Sequence, residues 1–283
     1  MPYGSALIDT ITSSGNLAIT GNVSTSGNVT VANVSTSGTI SATGNITGGN
    51  LSATGNITGG NLSATGRIIA ATFSTPLLMT SASLGTATAG NFEYDGKVPY
   101  FTPLGTQRGI IPGMQYYALS SGYTGTNSSG SQSVFGVGVT LSDSTQYMFE
   151  AVYAISRATG TTSHNWGLAF GGTATLNTIA YIVNGEYNGT SFTTTTTVMG
   201  NIKPGWFIQT AAQTQLVGSI TNSGVYFAFM VKGYVSVSSG GTFIPQYYCS
   251  AAPGGAHVTA AGSYFAIYPI GATGSNISVG TWA

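Results

Sequence analysis

Six carboxylates, two imidazoles and one thiol are the groups of this chain able to move protons or hold a metal: Asp9, Glu93, Asp95, Asp143, Glu150, Glu186, His164, His257 and Cys249. Glycoside cleavage needs two carboxyl groups facing one bond. Only Glu93 and Asp95 stand two apart, which puts both on one face of a strand. Lys97 beside them and Pro99, Pro103 and Pro112 around them mark a structural turn instead. No catalytic residue is therefore assigned, and the chain is read as no enzyme. The two histidines, with a single cysteine and few carboxylates, have no metal-ligand spacing, so neither a metal nor another cofactor is expected. His164, in the stretch SHNWG, reads as a loop or edge-strand histidine. The other way for it to work is on a threefold axis, where three copies of one histidine would share an ion. Cys249, beside Tyr247 and Tyr248, reads as a buried small hydrophobe, and one cysteine allows no intrachain disulfide. Gly136-Val137-Gly138 lacks the following helix that a dinucleotide fingerprint requires.

What remains is aromatic and polar. Tyr and Trp among Asn, Ser and Thr suit ligands of low charge such as sugars, by stacking and hydrogen bonding. Tyr123, Trp166, Tyr187 and His164 are the candidate receptor-binding residues, near the ends of expected strands. Charged residues make up 4% of the chain and its net charge is zero, against about 25% charged in an ordinary soluble protein. Nucleic acid is excluded as a partner, because neutralising phosphates takes clustered Lys and Arg. No apolar run approaches the ~20 residues of a membrane span, and the first residues, MPYGSALIDTITSSG, lack the basic start and long apolar core of a secretory signal. A monomer with so little charge and so much Tyr, Phe and Val tends to associate, which points to surfaces covered by identical copies.

The elements that must carry these residues are all β, in four regions: a leader over 1–14, a repeat over 15–84, a neck over 85–114 and a head over 115–283. The repeat has apolar beats at Leu17, Val23, Val29, Val34, Ile40, Ile46, Leu51, Ile57, Leu62 and Ile68, with Gly-Asn or Ser-rich segments between. Steps of five and six residues fit neither the three-and-four rhythm of a helix nor strict strand alternation. They fit short strands turning at Gly-Asn, where positive φ is tolerated. One apolar residue per rung cannot enclose an axis alone, whereas three chains can, so a triple β-helix-like trimeric shaft is expected. A flexible linker would not hold the beat through ten registers. In the neck, Tyr94-Asp95-Gly96-Lys97 reads as an Asp-Gly hairpin turn, and Glu93, Asp95, Lys97 and Arg108 are neck contacts able to pair between chains. In the head, QYMFEAVYAIS places Tyr147, Phe149, Ala151, Tyr153 and Ile155 on one face. Further strands are expected at SVFGVGVTL, NWGLAFGG, NTIAYIVNG, VYFAFMVKGYVSVS, GTFIPQYYCS and GSYFAIYPIG. Strands, Gly-rich turns and no amphipathic helix indicate a β-sandwich or jelly roll.

These stretches together resemble phage virion fibre proteins. GNLAITGNVSTSGNVTVANVSTSGTISATGNITGG resembles the shafts of tail fibres, and SLGTATAGNFEYDGKVPYFTPLGTQRGIIP resembles a neck motif of tail-fibre-like proteins. GTFIPQY, SAAPGGA, GSYFAIYPIG and VGTWA resemble phage fibre heads, with a strand order similar to the trimeric tumour-necrosis-factor-like jelly roll. The resemblance implies a homotrimer on the virion surface, made in the host cytoplasm. Its leader 1–14 would dock on another virion protein and its head would bind a host cell-surface glycan or protein. A tail fibre or spike is the first expectation. The shortness of the leader raises a second, a head fibre or capsid decoration protein. A glycan-cleaving spike is disfavoured by the scarce carboxylates, and a cellular adhesin by the absent secretory signal. If the beats are axial, Ile57→Asp should lower the shaft's thermal transition and shorten the particle while the head transition stays. An unchanged melting curve and unchanged elongation would show that Ile57 is not axial.

Overall fold

The computed structural model describes residues 78–188, 206–276 and 278–282, with isolated positions between 26 and 43. The ten beat residues and the leader lie outside the described residues. The chain divides into two compact units between Ala71 and Thr72, and the second holds every strand described. Among the described residues there is no helix.

Three short strands, β1 (Phe92–Tyr94), β2 (Pro99–Phe101) and β3 (Gly109–Ile110), form an antiparallel sheet over the segment read as the neck. The Asp-Gly turn is present between β1 and β2. Asp95 Oδ1 accepts the backbone N–H of Lys97 at 2.7 Å and of Val98 at 2.9 Å, and Gly96 takes φ +93°, a conformation costly for any residue with a Cβ. Val98, Tyr100 and Thr102 are buried beneath it.

The head begins with β4 (Gln115–Ala118), β5 (Tyr123–Thr124), β6 (Gly130–Ser133) and β7 (Val139–Leu141). The long β8 (Thr145–Arg157), β9 (His164–Gly171), β10 (Thr175–Asn188), β11 (Trp206–Ile208) and β12 (Thr214–Ile220) come next. β13 (Val225–Ser239), β14 (Gly241–Cys249), β15 (Val258–Thr259) and β16 (Tyr264–Ala272) complete it. One sheet runs β11-β10-β13-β8, and the far edge of β8 is shared between β16, which carries β4, and β15, which carries β5. The other runs β12-β9-β14, with β6 and β7 sharing the outer edge of β14. All pairs are antiparallel. The pairing is nested: β4 with β16, β6 with β14, β8 with β13, β9 with β12. A chain folded on itself as one long hairpin and then wrapped into two sheets produces this order, which is jelly-roll connectivity. The β10–β11 hairpin extends the larger sheet beyond it.

Alternation explains why these segments become strands and which face of each turns inward. On β8 the expected residues Tyr147, Phe149, Ala151, Tyr153 and Ile155 are all buried. The inward side chains of β13 are Val225, Phe227, Phe229, Val231, Val235 and Val237, and β9 supplies Trp166, Leu168 and Phe170 from the opposite sheet. Trp166 lies flat between strands, its ring centroid 4.3 Å from Phe227 and 5.0 Å from Phe229. The one inward position of β13 without a side chain is Gly233, where a Cβ would meet Phe149 Cζ and Tyr181 Cβ, each at 2.5 Å. Those two rings fill the space that a side chain would need. Gly233→Ala should therefore destabilise the head by about 1–3 kcal/mol through overpacking, read as a lower urea midpoint at unchanged slope. A neutral or stabilising effect would show that the rings can move aside.

Candidate functional site: an aromatic groove, an apolar sheet face and a buried polar cluster

The strands bring the residues singled out in the sequence to different places. Trp166 is fully buried in its aromatic stack, Tyr187 is buried against Phe227 with ring centroids 5.2 Å apart, and His164 is 2% exposed. These three candidate receptor-binding residues are core residues of the head, because the strand parity that turns Leu168 and Phe170 inward on β9, and Tyr181 and Val183 inward on β10, includes them. His164 also stands on β9, which has β12 on one side and β14 on the other, so it is not an edge-strand histidine. With both histidines inside one head, three copies of either cannot meet on an external axis. Tyr123 keeps part of its surface, its ring resting on Gly136.

The neck contacts close within the chain. Arg108 Nη2 and Nε reach Glu93 Oε2 at 2.8 and 2.9 Å, and Arg108 Nη2 also donates to the Gly85 carbonyl at 2.6 Å. Gly85 N–H returns a bond to Glu93 Oε1. Asp95 holds its turn and accepts the Tyr100 hydroxyl at 2.8 Å. Lys97 donates to the Asp143 carbonyl at 2.9 Å. Glu93 and Asp95 are thus engaged by a guanidinium, backbone N–H groups and a phenol of their own chain.

Two accessible features remain. The first is a groove of about 290 Å³ where the two sheets part at the β4 edge. It is lined by Gln115, Tyr116, Tyr117, Phe135, Val137, Thr140 and Pro245, with no charged side chain. Tyr117 meets Phe135 edge-on at 5.8 Å and Tyr116 leans on Tyr264 at 5.5 Å. Aromatic walls with one amide and the hydroxyls of Thr140, Tyr116 and Tyr117 suit an uncharged ligand carrying both apolar faces and hydroxyls. The second is the outer face of the larger sheet. Its rungs run Phe207–Ile182–Lys232–Glu150–Ala266–Tyr116 and Asn184–Met230–Val152–Tyr264. Phe207, Ile182, Met230, Met148 and Tyr116 are all exposed. Lys232 and Glu150 pair with each other at 3.6 Å, and Glu186 stands farther along β10.

Inside the head lies a cluster that spacing along the chain did not suggest. His164 from the start of β9, Cys249 from the end of β14 and His257 just before β15 place one ligating atom each within 4.8 Å of one another, all buried. Cys249 Sγ is 3.9 Å from His257 Nδ1. Arg157, the last residue of β8, is fully buried beside them. Its guanidinium donates to the carbonyls of Pro253, Gly160 and Asn222 and stands 3.2 Å from His164 Nε2. Burial, with Arg157 and His164 adding to it, pushes His257 down to about 3, and burial also lowers His164 against the pull of the Thr162 carbonyl. Burial raises the Cys249 thiol to about 12, with Arg157 opposing. The imidazoles are neutral and the thiol protonated, and the cluster is closed to any substrate in solvent. Cys249 is buried, as its strand context suggested.

Among the described residues no helix is long and apolar enough to cross a membrane. The lowered histidines have a direct consequence. The unfolded chain takes up protons at His164 and His257 below about pH 6.5, whereas the folded head takes them up only at lower pH, about 3 at His257. Head stability should be full above that pH and fall as the pH drops toward 3, by up to about 1.4 kcal/mol per pH unit for each withheld proton. Urea titrations from pH 7.5 to 4.5 should show a shallower decline in His257→Gln. An identical decline would place the acid sensitivity elsewhere. Comparison with family models, with curated proteins and with solved structures finds no match to this chain.

Proposed function

We propose that the chain is a non-enzymatic virion fibre of a phage, homotrimeric, that adheres to host-surface glycan. The repeat is its stiff spacer, the first fourteen residues dock on another virion protein, and the head carries the binding surface. The observation that carries the reading is the outer face of the larger sheet. Four of its strands expose Met148, Ile182, Met230 and Phe207, with one self-paired Lys232–Glu150 contact among them. Contiguous apolar surface of this kind marks an interaction site, and a chain with one apolar beat per rung in its repeat needs identical partners around an axis. Assembly of the heads through this face would continue the same symmetry and leave the groove at the β4 edge open to ligand. Many copies on one particle would let each groove bind weakly and still give firm attachment.

The test is one protein preparation read two ways. Wild type should have the mass of three chains, and Met230→Glu should give folded heads of lower mass. Wild-type trimer should bind members of a neutral-glycan array, and Tyr117→Ala should lose about tenfold in affinity, the worth of one stacking aromatic. A monomeric wild type overturns the assembly. Glycan turnover abolished by Glu93→Gln or Asp95→Asn overturns the non-enzymatic reading in favour of a cleaving spike. Trimers that stand on capsid capsomers in electron cryomicroscopy of the particle and bind no glycan would make the protein a head fibre or decoration instead.

A further inference from the structure

We propose that His164, Cys249 and His257 form a buried site for one monovalent, thiophilic metal ion per chain, copper(I) by its charge and softness. The three side chains come from β9, β14 and the loop before β15, so only the folded head assembles them. Two ligands of one metal in a trigonal plane, at bond lengths of about 2.0 Å to nitrogen and 2.3 Å to sulfur, lie about 3.7 Å apart. The 3.9 Å between Cys249 Sγ and His257 Nδ1 matches this, and the 4.8 Å limit of the set asks for a contraction of about 1.3 Å at most, for the two nitrogens.

Two further observations point to a ligand. His257 is fully buried, yet its Nε2 has no hydrogen-bond partner among the described residues, and its Nδ1 meets only the sulfur. An imidazole bonded to no oxygen or nitrogen carries a desolvation cost, and coordination through the nitrogen that faces Cys249 would offset the share that falls on that atom. At His164, Nδ1 is 2.8 Å from the Thr162 carbonyl, which fixes the tautomer as in metal-bound histidines and leaves the lone pair on Nε2; Arg157 Nη1 donates to that lone pair at 3.2 Å, a bond the ion would replace.

The choice of ion follows from Arg157. This guanidinium is buried beside the cluster and bonded to three carbonyls, with no carboxylate among its contacts. The site therefore already holds one uncompensated positive charge. When copper(I) binds, the Cys249 S–H proton leaves to solvent, a copper–sulfur bond and two copper–nitrogen bonds form, and the net charge is unchanged. Zinc(II) in the same exchange would add a second positive charge next to Arg157 in a dry interior, where such repulsion is weakly screened. Thiolate and imidazole ligands without oxygen also suit copper(I).

The full chain, reduced and held under anaerobic conditions with copper(I) buffered by a chromophoric chelator, should take up one equivalent per chain at equilibrium and melt at a higher temperature. X-ray absorption at the copper edge should show one sulfur and two nitrogen neighbours. Cys249→Ala and His257→Asn, each checked for a folded head by circular dichroism, should bind more than about 100-fold more weakly, beyond the 10–100-fold typical of losing an outer-shell partner. Copper held equally by wild type and Cys249→Ala, or without a sulfur neighbour in wild type, overturns the site. Zinc(II) held more tightly than copper(I) overturns the assignment of the ion. The X-ray measurement uses wild type alone, so it decides even if a variant does not fold.

Discussion

The pairing of β8 with β13 is the constraint on which the head rests. It runs without a break in register from Val225 opposite Arg157 to Val237 opposite Thr145. Side chains alternate with period two, so a slip of one residue would turn Phe227, Phe229, Tyr153 and Ile155 out to solvent together. Everything else is attached to this pair. β10 extends it on one side, β16 and β15 divide the other, and the smaller sheet covers its inner face with Trp166, Phe170, Phe243 and Tyr247.

The interior built on that pair is unusually aromatic. Trp166, Phe227, Phe229 and Tyr247 lie nearly parallel, while Phe149, Phe170 and Tyr181 meet edge-on or tilted. Flat rings let two sheets approach with few gaps, which is why Gly233 and Gly185 stand where a Cβ would strike Tyr181 or Phe229. Such packing places limits on charge. Arg157 is the buried exception, and its guanidinium is met by carbonyls of the loops at one end of the sandwich.

Much of the head is legible in the chain, and the failures are of two kinds. Alternation locates β8, β9, β10, β13, β14 and β16 and puts Tyr147, Phe149 and Tyr153 inside. The Asp95-Gly96 turn is readable because its chemistry is local. The same parity rule holds the answer for Trp166, which shares a face with Leu168 and Phe170, and for Tyr187, which follows Ile179, Tyr181 and Val183. Residue type points both of these to the surface instead, because Trp and Tyr also serve at binding sites. The cluster of His164, Cys249 and His257 has no signal along the chain, since β10, β11, β12 and β13 all lie between its first two members. The groove at Tyr116 and Tyr117 likewise depends on β4 pairing with β16 across the whole head. Local chemistry is readable, but proximity made by nested pairing is not.

Lys232 and Glu150 face each other across β13 and β8 among the exposed Met148, Ile182 and Met230. Exposed pairs of this kind add little to the stability of a single chain. Their consequence concerns an axis: around a threefold, a surface meets a different surface of its neighbour, and only residues close to the axis meet their own copies. By cancelling its charge on the same rung, the centre of this sheet can approach such an axis without a lone lysine or glutamate confronting its equivalents.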